Sequence, residues 1–337
     1  MRVSVHPDGP AGHGVVRHAD LVARLAAAHG VRRVPGTPDD PDVRHAHFSD
    51  SLHPGTAGDA AESFGAWAGT SPSPLVVTLH DVPGADPDPA RDARRIEAYR
   101  AVTGHADAVV VAAEHEAAKV LDWSGRRAHV VELPLPELPL PDLPLPDLAL
   151  SDLLEPDVVP DGGPPTLGVL GFVYPGKGHA EAVEAAGRRA DPPRVLALGA
   201  VSPGHDGMWS SLVERARELG VDLAATGHLT DAGLAAAAAA VTVPLAPNSG
   251  VSASGSLLAW VACRRRPLAA DGVYAREIDA RHPGLLRLHA GDAELDAAIT
   301  DALASPGTTR TGALPPWPDA GAAHARIYAD VLECARC

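Results

Sequence analysis

Lysine is almost missing from this 337-residue chain: it occurs only at Lys119 and Lys177, while the other 26 cationic residues are arginine. Aromatics are scarce as well, at 4%, so the cores must be assembled mainly from valine, leucine and alanine. Three cysteines are too few to staple a disulfide scaffold, and Cys334-Ala-Arg-Cys337 lacks the second pair that a metal ribbon needs. No 18-residue apolar run free of charge and proline exists to span a membrane, and Met1-Arg-Val-Ser-Val5 has no h-region of a secretory leader. A reduced, cytoplasmic protein is therefore expected. Excess positive charge is lacking too. The net charge of −15 argues against a general nucleic-acid or anionic-membrane surface, though not against a local pocket for a small anion.

What is present describes a globular protein of two domains, with 45% hydrophobic and 21% charged residues. Residues 1–135 alternate strand-like runs (2–5, 31–34, 45–48, 75–79, 108–112, 129–133) with helix-like ones (15–28, 57–68, 92–103, 114–121). Several of these strands are continuous apolar runs, as a parallel sheet covered on both faces requires. The alternation predicts an α/β, doubly wound, Rossmann-like domain.

Residues 136–165 read as a proline-rich linker, entered through three tandem pentapeptides, Pro134–Leu138, Pro139–Leu143 and Pro144–Leu148. Proline at this density favours an extended polyproline conformation. Alternation restarts over 166–316, with strands expected at 166–173, 194–198, 222–226, 240–243, 267–270 and 284–288. Helices are expected at 179–189, 208–219, 231–239, 254–263 and 292–304. A last amphipathic helix, 319–337, is expected to pack back on the first domain. Two Rossmann-like domains facing each other would leave a cleft at the carboxyl ends of their strands.

The chemistry concentrates at strand ends. Gly171-Phe-Val-Tyr-Pro-Gly176-Lys177-Gly178-His179 follows an apolar strand and opens a helix, offering exposed backbone and a compact ammonium to a phosphate. Its first seven positions match a P-loop, but Gly178 stands where the Mg²⁺-binding Ser or Thr belongs, so a P-loop NTPase is a secondary reading. Val251-Ser252-Ala-Ser254-Gly255-Ser256 opens a second apolar helix, with Ser254 as a natural N-cap. In the first half, Leu75-Val-Val-Thr-Leu-His80-Asp81 ends a buried strand with a histidine suited to a sugar hydroxyl. Gly12-His13-Gly14 follows the first strand, without the G-x-G-x-x-G spacing of a dinucleotide site. His45-Ala-His47 is read as pointing to opposite faces of its strand, hence as a poor chelate, and no metal site is assigned.

In order and spacing these segments resemble the family 4 glycosyltransferases, two-domain enzymes of GT-B architecture. Gly12-His-Gly14 resembles the family's first glycine loop, and Thr78-Leu-His80-Asp81 its histidine-bearing strand end. Residues 106–116 resemble the segment closing the first domain. Gly171–Gly178 resembles the phosphate site, Thr226-Gly227-His228-Leu229 the base-contacting loop, and Gly291–Ile299 the last Asp-plus-helix unit. Two departures stand out: Phe172 replaces the usual Arg, and no Asp or Glu lies between Asp231 and Asp271, where the family's Glu-x7-Glu belongs.

The resemblance implies a retaining, metal-independent transferase without a cofactor, taking a nucleotide sugar (UDP or GDP expected) to an acceptor. His80 and Lys177 would be catalytic, and the departing phosphate would serve as base. Gly12, His13, Gly14, Gly176, Gly178, His179, Gly227, His228, Ser252, Ser254, Gly255 and Ser256 would bind the donor. The alternative is a non-catalytic GT-B module that binds a nucleotide sugar or glycan.

Overall fold

A computed structural model describes residues 1–7, 9–10, 12–35, 41–139, 164–248 and 250–336. It divides into two compact units, Met1–Pro134 with Trp317–Cys337, and Leu135–Pro316.

The first unit runs β1 (Arg2–Pro7), α1 (Gly14–Ala27), β2 (Arg32–Val34), β3 (Val43–Phe48), α2 (Ala57–Ala68), β4 (Leu75–Leu79), α3 (Pro89–Gly104), β5 (Ala108–Val111), α4 (Glu114–Ser124) and β6 (His129–Val130). The strands pair in parallel in the order β2-β1-β3-β4-β5-β6. Every residue of β3, β4 and β5 is buried, which is why β5 reads as an unbroken apolar run and β4 as one broken only by Thr78. Two of the helices start where the sequence supplies strong acceptors. Thr56 and Asp59 form a reciprocal capping box on α2, and Asp88 caps α3 with Pro89 in its first turn. α4 ends at Gly125 in the left-handed conformation (φ 70°).

The chain's last helix, α11 (Ala320–Arg336), completes this unit by packing against α1. Its Ile327 and Val331 join a core with Val3, Val43 and Val76, and Tyr328 Oη shares a 2.7 Å hydrogen bond with His45 Nδ1.

The second unit runs β7 (Thr166–Leu170), α5 (His179–Gly187), β8 (Arg194–Leu198), α6 (Asp206–Glu218), β9 (Leu223–Ala225), α7 (Asp231–Ala240), β10 (Val243–Ala246), α8 (Gly255–Ala262), β11 (Leu268–Ala270), α9 (Val273–Arg281), β12 (Arg287–His289) and α10 (Gly291–Ala304). Its parallel order is β12-β11-β10-β7-β8-β9. Trp260, fully buried, donates its indole N–H to the Leu245 carbonyl at 3.1 Å.

Three sequence expectations need correction. The strand placed at 240–243 is displaced, because the alanine run carries α7 to Ala240 and β10 occupies Val243–Ala246. Pro244 sits inside this central strand opposite Gly168. Proline there costs the ladder one N–H donor. Helix α9 was not expected, since Gly272 at its start provides no side-chain cap. The strand expected from 284 begins only at Arg287. The proline-rich segment from 140 to 163, with most of the pentapeptides, lies outside the described residues.

Candidate functional site

In the first unit, the end of β4 is held rigidly. The His80 N–H donates to the Phe48 carbonyl at 2.8 Å, and the His80 carbonyl accepts from Tyr99 Oη at 2.6 Å. Asp81 adopts φ 53°, a left-handed conformation that a non-glycine residue rarely takes. Its side chain accepts from Ser49 Oγ at 2.7 Å and its carbonyl from Arg95 at 2.7 Å, while Arg95 grips Asp50 with two bonds of 2.8 and 2.9 Å. Strain of this kind persists only where surrounding bonds over-determine it, and functional strand ends are where it clusters.

The His80 ring faces other imidazoles. Its Nε2 lies 3.2 Å from His47 Nδ1, and His18 of α1 stands edge-on to both rings at 5.4 Å. Burial lowers the His80 pKa to about 4, with the Asp81 carboxylate opposing the shift and His13 reinforcing it. Burial, then neighbouring imidazoles, holds His18, His45 and His47 well below the usual range as well. At neutral pH His80 is therefore an uncharged hydrogen-bonding group. The expectation that His45 and His47 point to opposite faces is wrong: their rings are 4.3 Å apart, since residues two apart on a strand share a face. In the Gly12–Gly14 loop, Gly12 has φ 88°, and His13 Nδ1 caps α1 by accepting the Val15 N–H at 3.3 Å.

In the second unit, β7 ends in a turn that three left-handed glycines allow: Gly171 (φ 113°), Gly176 (80°) and Gly178 (103°). A β-carbon at Gly178 would overlap Pro247, so neither Ser nor Thr fits there, which removes the hydroxyl that P-loop chemistry requires. The turn folds Lys177 towards the start of α8. Its Nζ donates to Ser256 Oγ at 2.6 Å, Ser256 lies 3.2 Å from Ser254 Oγ, and Ser254 caps α8 by accepting the Leu257 N–H. Burial pushes the Lys177 pKa down to about 8.

Lys177, Ser254 and Ser256 share an open recess of about 370 Å³ with Asn248, Ala270 and Tyr274. An ammonium and two hydroxyls converge there at the start of a helix, with no carboxylate on the wall, the makings of an anion site. Gly176 and Gly178 shape the turn, Gly255 is exposed in the first turn of α8, and Ser252 is half-buried just before it.

The other expected donor residues lie elsewhere. His179 is buried outside the recess wall, both ring nitrogens without a partner, its pKa lowered to about 4 by burial and then by Lys177. Gly227 and the exposed His228 follow β9 at the sheet edge, two strands from β7, and do not line the recess. The sequence reading missed Asn248, whose signal was the turn Pro247-Asn-Ser-Gly250, and Tyr274, which sits on the unexpected α9. It also missed His18 and His47, which reach His80 only through tertiary folding.

Comparison with known proteins bears on the fold. Residues 2–136 match the model of the glycosyl transferase 4-like domain. No curated protein matches the chain. Among solved structures, Anabaena HepE in complex with UDP-glucose is similar over 100% of this chain and 99% of its own, at 15% identity and a TM-score of 0.65. Sucrose-phosphate synthase from Thermosynechococcus elongatus is similar over 98% and 95%, at 14% identity and a TM-score of 0.65. A glycosyltransferase from Rickettsia africae is similar over 99% and 93%, at 13% identity and a TM-score of 0.60. Residues 2–136 thus match a glycosyl transferase 4-like domain, and the chain as a whole has the GT-B fold.

Proposed function

We propose that this chain is a retaining glycosyltransferase that moves a sugar from a UDP or GDP donor to a small-molecule or glycan acceptor, without a metal. The observation carrying the reading is the convergence of Lys177, Ser254 and Ser256 on one recess at the ends of the adjacent strands β7 and β10. HepE, similar along its whole length, binds UDP and UDP-glucose.

In this reading the bond from the anomeric carbon to the diphosphate oxygen breaks, and its electron pair goes to the phosphate. The Lys177 ammonium and the donors at the α8 start stabilise that developing charge, an interaction stronger in the transition state than in the ground state. The departing phosphate oxygen takes the acceptor's hydroxyl proton, and the acceptor bonds on the face just vacated, which preserves configuration. His80, neutral, holds a sugar hydroxyl without adding positive charge next to an oxocarbenium-like centre.

A second reading, a non-catalytic nucleotide-sugar module, is favoured by one observation: Phe172 and the carboxylate-free stretch from 232 to 270 replace charged positions of the family. A thermal-shift screen with UDP, GDP, ADP and dTDP, followed by turnover of the matching nucleotide sugar, separates the two. Stabilisation with slow donor hydrolysis, and an α-linked product from an α-donor by NMR, is expected. Nucleotide binding without any donor turnover leaves the module.

A further inference from the structure

His18, His47 and His80 come from three separate elements, α1, β3 and the end of β4, yet offer nitrogens that all lie within 4.8 Å of one another. We propose that these three imidazoles form a binding site for a transition-metal ion of borderline softness, with zinc as the expected occupant. Resting on the reading of His80 as a sugar contact, its occupancy also switches transfer off by withdrawing that side chain.

Three features support the site. The 3.2 Å between His47 Nδ1 and His80 Nε2 is already the spacing of two ligands on one tetrahedral ion, which Zn–N bonds of about 2.0–2.1 Å place about 3.3 Å apart. The donor set is all nitrogen, which suits zinc, copper or nickel and disfavours magnesium and calcium. Finally, His47 rests against His45, itself fixed by Thr78 Oγ1 at 2.8 Å and by Tyr328, whereas His18 and His80 are only half-buried. That gives one anchored ligand and two at the edge of the core.

The test uses the full chain stripped of metal. Calorimetric titration with Zn²⁺ is expected to show one equivalent bound at micromolar or tighter affinity, and Co²⁺ to give the visible bands of four-coordinate cobalt. His18→Gln should weaken binding by about 100-fold or more, and exposed His129→Gln should leave it unchanged. His80→Gln is the second variant, for use if circular dichroism shows His18→Gln misfolded. Absence of zinc binding, or equal binding by both site variants and wild type, overturns the site. In the transfer assay zinc should inhibit wild type and spare His18→Gln relative to its own metal-free rate. Zinc bound at the site without inhibition would uphold the site and overturn the contact of His80 with the sugar.

Discussion

Arginine and lysine do different work in this chain. Arg44 donates to the carbonyls of Ala68, Ser71 and Ser73, Arg126 to those of Thr103 and Ala106, and buried Arg265 to those of Ala238, Ala239 and Thr242. Gathering several fixed acceptors suits a rigid five-donor fork. Lys177 instead meets one hydroxyl at the edge of a recess, where a compact charge suits a mobile phosphate.

Its pKa of about 8 has a direction that can be tested. Because folding lowers the value from 10.5, the buried ammonium costs stability below about pH 8, and that cost fades as pH rises towards 10.5. For binding the sign is reversed: the charge is lost as pH rises through about 8, so UDP affinity should fall above that pH. Lys177→Arg, which stays charged, should bind with a flat profile; calorimetry across this range checks it, and a flat wild-type profile would contradict the assignment.

Still at the residue scale, His80→Ala should lower kcat by on the order of 100-fold while UDP affinity changes little. Ser254→Ala should weaken UDP binding, since it removes both a recess hydroxyl and the α8 cap. Equal loss of nucleotide affinity in the two variants would end this division of labour.

At the scale of elements, the last helix depends on one close approach. A β-carbon at Gly321 of α11 would overlap the backbone of Leu25 and Ala26 in α1, and backbone cannot rotate away as a side chain can. Gly321→Ala should therefore destabilise the first unit by about 1–3 kcal/mol, read as a lowered urea midpoint with the slope unchanged. A midpoint equal to wild type would mean that α11 does not dock this closely. Tyr328→Phe, by leaving buried His45 Nδ1 unpaired, should cost about 1–3 kcal/mol as well.

Most elements were legible because their signals are local. β4 and β8 are mostly apolar runs buried on both sides, whereas the start of α3 was placed at 92, three residues late, although Asp88 and Pro89 mark it. What was not legible depended on tertiary context. Pro244 survives in a central strand because of what packs around it, and α9 forms without a cap. The site divides in the same way. Lys177 stood out as a lysine between two glycines, whereas the convergence of His18 and His47 on His80 needs a helix and two strands in place. The facing of His45 and His47 was within reach of the sequence, since a two-residue period puts both on one side.

At the scale of the whole molecule, two six-stranded parallel sheets each present chemistry where strands end, one with neutral imidazoles and one with an ammonium beside hydroxyls. Among the described residues, no helix is long and apolar enough to cross a membrane. The recess wall holds no carboxylate for a magnesium ion, so transfer should survive EDTA undiminished. Complete loss on chelation, restored by Mg²⁺ or Mn²⁺, would contradict a charge-stabilising role for Lys177 alone.

The central claim is that Lys177 stabilises the leaving diphosphate, and turnover of the nucleotide sugar by purified Lys177→Ala tests it most directly. The side chain is half-buried in a glycine turn, so the variant should keep the wild-type circular dichroism spectrum. Its turnover should fall by about 100-fold or more, a transition-state cost on the order of 3 kcal/mol. A folded variant that retains half of the wild-type rate would contradict the account.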